Sequence, residues 1–102
     1  MEIKHKTQLH KVFVWLIGEL DEHSAKNARY ELDEIIDKNL SAKFFIFDFS
    51  KTSFMDSTGI GVLLGRYKKL KKMGIAPYVS NPNFSINKIL QISGIYDIMP
   101  KI

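Results

Sequence analysis

From Lys43 to Phe49 the chain reads Lys-Phe-Phe-Ile-Phe-Asp-Phe, apolar at five of seven positions and without the alternation of a half-exposed strand. A strand with apolar side chains on both faces belongs inside a parallel sheet, where other layers cover each side. Parallel neighbours cannot be joined by tight turns, because the chain must first return to the starting end, usually through a helix. The segment therefore confines the chain to an α/β architecture, with this strand at its centre and covered on both faces.

The flanking segments supply the parts that such a sheet needs. Glu2-Ile3-Lys4-His5-Lys6-Thr7 is polar and suits only an edge strand, whereas Lys11 to Ile17 is a β-branched and aromatic run stopped by Gly18. With Gln8-Leu9-His10 between them, the pair predicts a hairpin. Ala25, Ala28, Leu32, Ile35 and Ile36 recur at steps of three and four behind Ser24, an expected N-cap, and predict an amphipathic helix. A second helix starts at Asp56 or Ser57 with Ile60, Leu63, Leu64, Tyr67 and Leu70 as its buried stripe. Lys68 to Lys72 and then Gly74 close it in the order that the helix dipole favours. Ile75 to Val79 is a short strand whose Pro77 assigns it to an edge or a strand start. Asn81-Pro82-Asn83 gives a turn and cap, Ile86, Ile89 and Leu90 form a third apolar face, and Gly94 ends that helix. The apolar tail Ile95 to Ile102 is expected to pack down. The order ββαβαβα implies an antiparallel first strand and right-handed helical crossovers between the later ones.

With 102 residues, 45% of them apolar, there is material for one modest core, hence one domain over residues 1–102. Having no cysteine excludes disulfides, thiolate zinc sites and thiol catalysis together, and fits a reducing compartment, so the cytoplasm is the expected location. No apolar run approaches the roughly 20 residues that span a bilayer, and Glu2 to His10 lacks the apolar region of a signal peptide. No membrane contact is expected. The net charge of +4, from 15 basic and 11 acidic residues, is mild beside that of a dedicated nucleic-acid binder.

Several chemistries fit the residues poorly. His5, His10 and His23 are scattered without ligand spacing, which argues against a metal site. Ser57 stands in Asp-Ser-Thr-Gly rather than Gly-x-Ser-x-Gly and has no histidine near it in sequence, which argues against a hydrolytic nucleophile. Gly59, Gly61 and Gly65 resemble a dinucleotide fingerprint, yet the third glycine comes four positions after the second rather than three, and the loop Ser50 to Asp56 is too long. Small-ligand or nucleotide binding there is the lesser alternative. Arg66, Lys68, Lys69, Lys71 and Lys72 around Tyr67 read as a solvated helix end, since no nucleic-acid motif accompanies them. Asp21, Asp48 and Asp56 fall at or just beyond strand ends, where sites collect in open sheets, but no acidic pair near the first strand supports an aspartyl-phosphate centre.

What remains is Phe54-Met55-Asp56-Ser57-Thr58-Gly59-Ile60-Gly61, which places hydroxyl residues where a helix begins. A helix start offers unpaired N–H groups and the positive end of the dipole, so Asp-Ser-Thr there can cap the helix, hold an anion or carry a phosphate. Extended through Val62-Leu63-Leu64-Gly65-Arg66-Tyr67-Lys68, the segment resembles the signature of the bacterial anti-sigma factor antagonists of the STAS fold. Gly18-Glu19-Leu20-Asp21 and Ile92-Ser93-Gly94-Ile95 are similar to that family's other two recurrent segments, in order and spacing, so the resemblance covers nearly the whole chain. Gly65-Arg66-Tyr67-Lys68 is most similar to the sporulation antagonist that acts opposite the forespore sigma factor. The chain departs from the family pattern at Asn83-Phe84-Ser85, where small or aliphatic residues are usual.

The resemblance implies a small mixed sheet of four to five strands with three to four α-helices, and a partner-switching protein that is not itself an enzyme. Unphosphorylated, such a protein binds an anti-sigma factor that is also a serine kinase, and so releases the sigma factor. The kinase, using ATP and Mg²⁺ as its own substrates, phosphorylates the residue matching Ser57, and a serine phosphatase reverses the mark. The resemblance assigns no cofactor and no direct nucleic-acid partner. Asp21, Asp56, Ser57, Thr58, Gly59, Ile60, Gly61 and Leu63 are the expected partner-contact residues. The alternative within the fold is a STAS module of another kind, in a stress-response or stressosome scaffold.

Overall fold

The chain enters its sheet through the expected hairpin: in the computed structural model, which describes residues 1–102, β1 (Glu2–Gln8) pairs antiparallel with β2 (Lys11–Leu20). β2 does not stop at Gly18. There φ is +105°, a value that L side chains rarely adopt, and the ladder changes partner. Lys11–Trp15 pairs in parallel with β3 (Phe44–Asp48), and Gly18–Leu20 pairs in parallel with β4 (Thr52–Met55). β4 lies within the stretch expected to be loop. Four residues are too few to show a period, and long-range partners make them a strand: the buried Thr52 hydroxyl donates to the Leu16 carbonyl at 2.6 Å. The order is therefore ββαββαβα, one strand more than the sequence pattern indicates.

β5 (Ala76–Ser80) pairs in parallel with β3, so the main sheet runs β1-β2-β3-β5, with Pro77 near the start of its outer strand. The tail covers part of that outer edge: Val79 N donates to Pro100 O at 3.0 Å, and Ile102 N donates to Val79 O at 2.9 Å. The helices are α1 (Ala25–Asp37), α2 (Ser57–Lys72) and α3 (Phe84–Ile92), followed by a 3₁₀ turn at Ile95–Asp97. α1 buries the five residues that its periodicity indicates. Its start differs: Ser24 makes no side-chain cap, and the turn is held reciprocally, with Ser24 N donating to Asp21 Oδ1 and Asp21 N donating to Ser24 Oγ.

One cluster of 22 buried residues forms the core. It takes Val12, Val14 and Leu16 from β2, Phe45 and Phe47 from β3, and Val79 from β5, and joins them to residues of all three helices and of the tail. Each such side chain, fully buried, is worth about 1.5–3 kcal/mol relative to exposure. The alternate residues Phe13, Trp15, Ile17, Phe44 and Tyr78 are only half-buried and outside that cluster, and Ile46 is buried without belonging to it. The helices thus pack on one face of the sheet, and the expectation that the central strand is covered on both faces is corrected.

α2 also presents a different stripe. Gly59, Val62, Leu63, Arg66 and Leu70 face inward, while Leu64 is exposed and Ile60 and Tyr67 flank the seam. Apolar periodicity misses the rotation because it counts neither a glycine nor an arginine as a core position. Arg66 Nε lies 3.0 Å from Asp33 Oδ1 on α1, and Lys69 Nζ lies 2.8 Å from Asp37 Oδ1. Two cations of the expected solvated helix end therefore bind carboxylates of α1. Burial pulls the Arg66 guanidinium below its ordinary pKa, and the adjacent Asp33 opposes that shift. Asp33→Ala is expected to lower unfolding free energy by about 1–2 kcal/mol, between the values for exposed and buried pairs, whereas Asp37→Ala changes it by less than about 0.5 kcal/mol. Urea denaturation of the two variants measures the difference.

Candidate functional site at the start of the second helix

The turn into α2 is built on a close approach. Gly59, in the first turn of the helix, is buried, and a Cβ added there would meet the Leu20 carbonyl oxygen at 2.6 Å and Met55 Cγ at 2.8 Å. No other residue lets the helix start sit against the end of β2 without moving backbone. The contact seats Ser57 beside the Leu20-Asp21 turn, and the Asp56 N–H points to the Leu20 carbonyl at 3.4 Å. Asp21 and Ser57 thus share one edge of the sheet, as their sequence positions indicate.

Asp56 is the N-cap. Its backbone is extended, at φ −117° and ψ −172°, and its Oδ1 accepts from Gly59 N at 3.1 Å while its carbonyl accepts from Ile60 N at 3.1 Å. Ser57 is then the first helical residue, exposed, and the N–H groups of Ser57 and Thr58 have no carbonyl one turn behind them inside the helix. Ser57, Gly61 and Leu64 follow at steps of four and three, all exposed, and form a surface stripe with Thr58 and Ile60 half-buried at its sides. Space around Gly61 is open: no atom lies within 4 Å of the position that a side-chain methyl would take.

Two expected contact residues lie beneath the surface. Leu63 is fully buried, in the core role that its helical spacing indicates, and Gly59 is buried, so both support the site from below, while Leu64, expected in the core, takes the exposed position. Phe54, two residues before the cap, is also exposed; it opens the family-like segment, but β4 is too short for a period to show which way it faces. Phe84, the departure from the family pattern, is 83% exposed at the start of α3. Its neighbour Asn83 caps α3 by accepting from Ile86 N at 2.9 Å and donates to Thr52 O on β4 at 3.2 Å.

The three carboxylates at strand ends are engaged locally. Asp21 accepts from the backbone N–H groups of Ser24 and His23, and the Ser24 bond is the main cause holding its pKa below the ordinary range. Burial pushes Asp48 up, but Ser50 N at 2.8 Å, Asn81 Nδ2 at 2.9 Å and Ser80 Oγ at 3.2 Å outweigh it and leave the pKa lowered. Asp48 thereby ties the ends of β3 and β5 together and fixes the loop leading to Asn83.

A family model described as the STAS domain matches residues 1–102. The anti-sigma F factor antagonist of Paenibacillus polymyxa is 36% identical over 89 residues, spanning 87% of this chain and 75% of that protein. The solved structure of the anti-sigma factor antagonist SpoIIAA in its unphosphorylated form superposes with a TM-score of 0.81 at 28% identity, covering 99% of this chain and 88% of that one. The phosphorylated form of the Bacillus protein SpoIIAA gives a TM-score of 0.72 at the same identity, covering 99% and 91%. The chain belongs to the STAS-domain family, among the bacterial anti-sigma factor antagonists. No helix is long and apolar enough to cross a membrane.

The two glycines of the site are expected to respond oppositely. Gly59→Ala forces the helix start away from Leu20 and costs about 1–3 kcal/mol, whereas Gly61→Ala, in open space on a helix, stabilises by about 0.5–1 kcal/mol. Thermal unfolding of both variants reads the signs. For Asp48, the lowered pKa means that its contribution to stability is complete above the ordinary value of 3.8 and disappears as pH falls through the lower folded-state value. Asp48→Ala, which orphans three donors, is expected to cost about 1–3 kcal/mol at pH 7, with the gap to the parent narrowing below pH 3.8 in urea titrations.

Proposed function

We propose that the chain is a phosphorylation-controlled antagonist of an anti-sigma factor, with Ser57 as its phosphoacceptor. The observation that carries this reading is the exposed stripe Ser57-Gly61-Leu64, which opens at a capped helix start and has a seat, not a catalytic group, beneath it. Unphosphorylated, the stripe offers a neutral hydroxyl, bare backbone at Gly61 and an apolar side chain at Leu64, a surface that a partner can approach closely. Asp56 caps its start, and Asp21 follows the β2 residue that pairs with Met55. The partner is an anti-sigma factor that is also a serine kinase, and its capture releases the sigma factor. The chain itself catalyses nothing; ATP and Mg²⁺ are the kinase's substrates, and a serine phosphatase restores the hydroxyl. The F-type name of the Paenibacillus relative supports a place in sporulation.

A phosphoryl group on Ser57 adds about −1.5 to −2 charge and three strong acceptors. The free N–H groups of the first turn and the helix dipole favour it by about 0.3–1 kcal/mol, so the antagonist itself tolerates the mark. A partner fitted against the stripe does not. It meets the phosphate together with Asp21 and Asp56, and loses close contact at Gly61. Repulsion and exclusion release it without any change of fold in the antagonist.

Incubation with ATP, Mg²⁺ and the cognate kinase, followed by site-resolved mass spectrometry, is expected to place one phosphate on Ser57 and none on Ser53 or Thr58. Ser57→Ala should hold the kinase with parental affinity whether or not ATP is present. Ser57→Asp and the phosphorylated protein should bind at least about tenfold more weakly, a loss of about 1.4 kcal/mol or more. Equal affinity of all forms, or phosphate at another residue, rejects the reading.

A further inference from the structure

The face of the sheet opposite the helices carries a field of half-buried aromatic rings. Phe13 and Trp15 lie with ring centroids 6.2 Å apart and planes within 23°, and Phe44 and Tyr78 lie 6.1 Å apart across the strands. Between the pairs is an open apolar depression of about 280 Å³, lined by Lys11, Phe13, Phe44, Ile46, Tyr78 and Ile102. The register places Lys4 opposite Trp15, Lys6 opposite Phe13 and Lys11 opposite Phe44, so exposed lysines of β1 and of the start of β2 flank the aromatic field. Among carboxylates, Glu2 lies at the far corner opposite Ile17, and Asp48 is already held by three donors.

We propose that this face docks an amphipathic α-helix of a partner protein, with an apolar stripe over Phe13, Phe44, Ile46 and Tyr78 and acidic residues against Lys4, Lys6 and Lys11. The parallel part of a sheet is usually covered on both faces, and here β2, β3 and β5 are parallel, with β1 added antiparallel at one edge, while α1, α2 and α3 occupy one face. The layer that completes such a sheet is a helix. Its diameter of about 10 Å spans three strands spaced about 4.8 Å apart. The charge fixes its chemistry: a second copy of the chain, at net +4, would bring lysines towards lysines, whereas an acidic flank pairs with them. The surface is distinct from the Ser57 stripe and does not depend on the switch.

Trp15, the only tryptophan, reports on the face directly. The probe is a helical peptide of about 18 residues with a leucine stripe flanked by glutamates, beside a twin flanked by lysines. The glutamate peptide is expected to shift Trp15 emission saturably, with affinity falling as salt rises, and the lysine twin is not. Lys4→Glu/Lys6→Glu, on an exposed edge strand, should weaken binding about tenfold or more without unfolding the chain, and Ser57→Asp should leave it unchanged. Equal binding of both peptides, no saturable shift, or indifference to the Lys4→Glu/Lys6→Glu change overturns the proposal. So does a shift produced instead by oligo-deoxythymidine, by anionic vesicles or by concentration-dependent self-association of the chain.

Discussion

The position of Ser57 depends on one contact that a single methyl group would abolish. Gly59 brings the first turn of α2 against the Leu20 carbonyl, and that approach fixes where the helix begins, which way it rotates and what lies beside its first hydroxyl. The inward stripe follows from it. With Gly59 seated, Val62, Leu63, Arg66 and Leu70 fall on the core side, and Ser57, Gly61 and Leu64 are left outward. A one-residue rotation would bury Leu64 and expose Leu63, exchanging an aliphatic surface position for another but aiming Ser57 elsewhere.

Around this seat the polar groups are arranged so that local bonds consume the carboxylates and leave the serine in solvent. Asp56 commits an oxygen to Gly59, Asp21 to Ser24 and His23, and Asp48 both oxygens to the β5 end and Ser50. These bonds stiffen three neighbouring turns at the strand ends. A rigid site suits recognition by shape and charge, because a partner then meets one geometry.

Most of the architecture is legible in the sequence, for reasons that differ between elements. α1 is readable because five apolar residues share one face and none has a competing role. The hairpin, the centre of β3 and the Asn83 cap are readable from local composition. β4 is not, since four residues carry no periodic signal and its existence depends on a partner strand more than thirty residues earlier. Gly18 reads as a stop because a positive-φ glycine ends most strands, whereas here it lets β2 exchange one neighbour for another. At the site, Asp21, Asp56 and Ser57 fall where expected, and Leu63 is buried as its helical spacing indicates, but Leu64 is exposed. The deciding residues, Gly59 and Arg66, are ones that an apolar pattern omits; a helical wheel that admits glycine to close contacts finds the rotation.

β3 shows how a correct pattern can carry more than one meaning. Its unbroken apolar run indicates cover on both faces, and the residues are those of a doubly buried strand, yet the helices reach only Phe45 and Phe47. The other face shelters Ile46 among neighbouring rings and leaves Phe44 and Tyr78 half in solvent. Keeping such a surface costs solubility unless something offsets it, and the lysines opposite Phe13, Trp15 and Phe44 do so by discouraging sheet-to-sheet pairing of copies. The same charges that keep the face open select what closes it. The mismatch between the strand's sequence and its one-sided burial is therefore itself evidence of a missing layer, and the Ser57 edge and the open face become two separate surfaces on one small core.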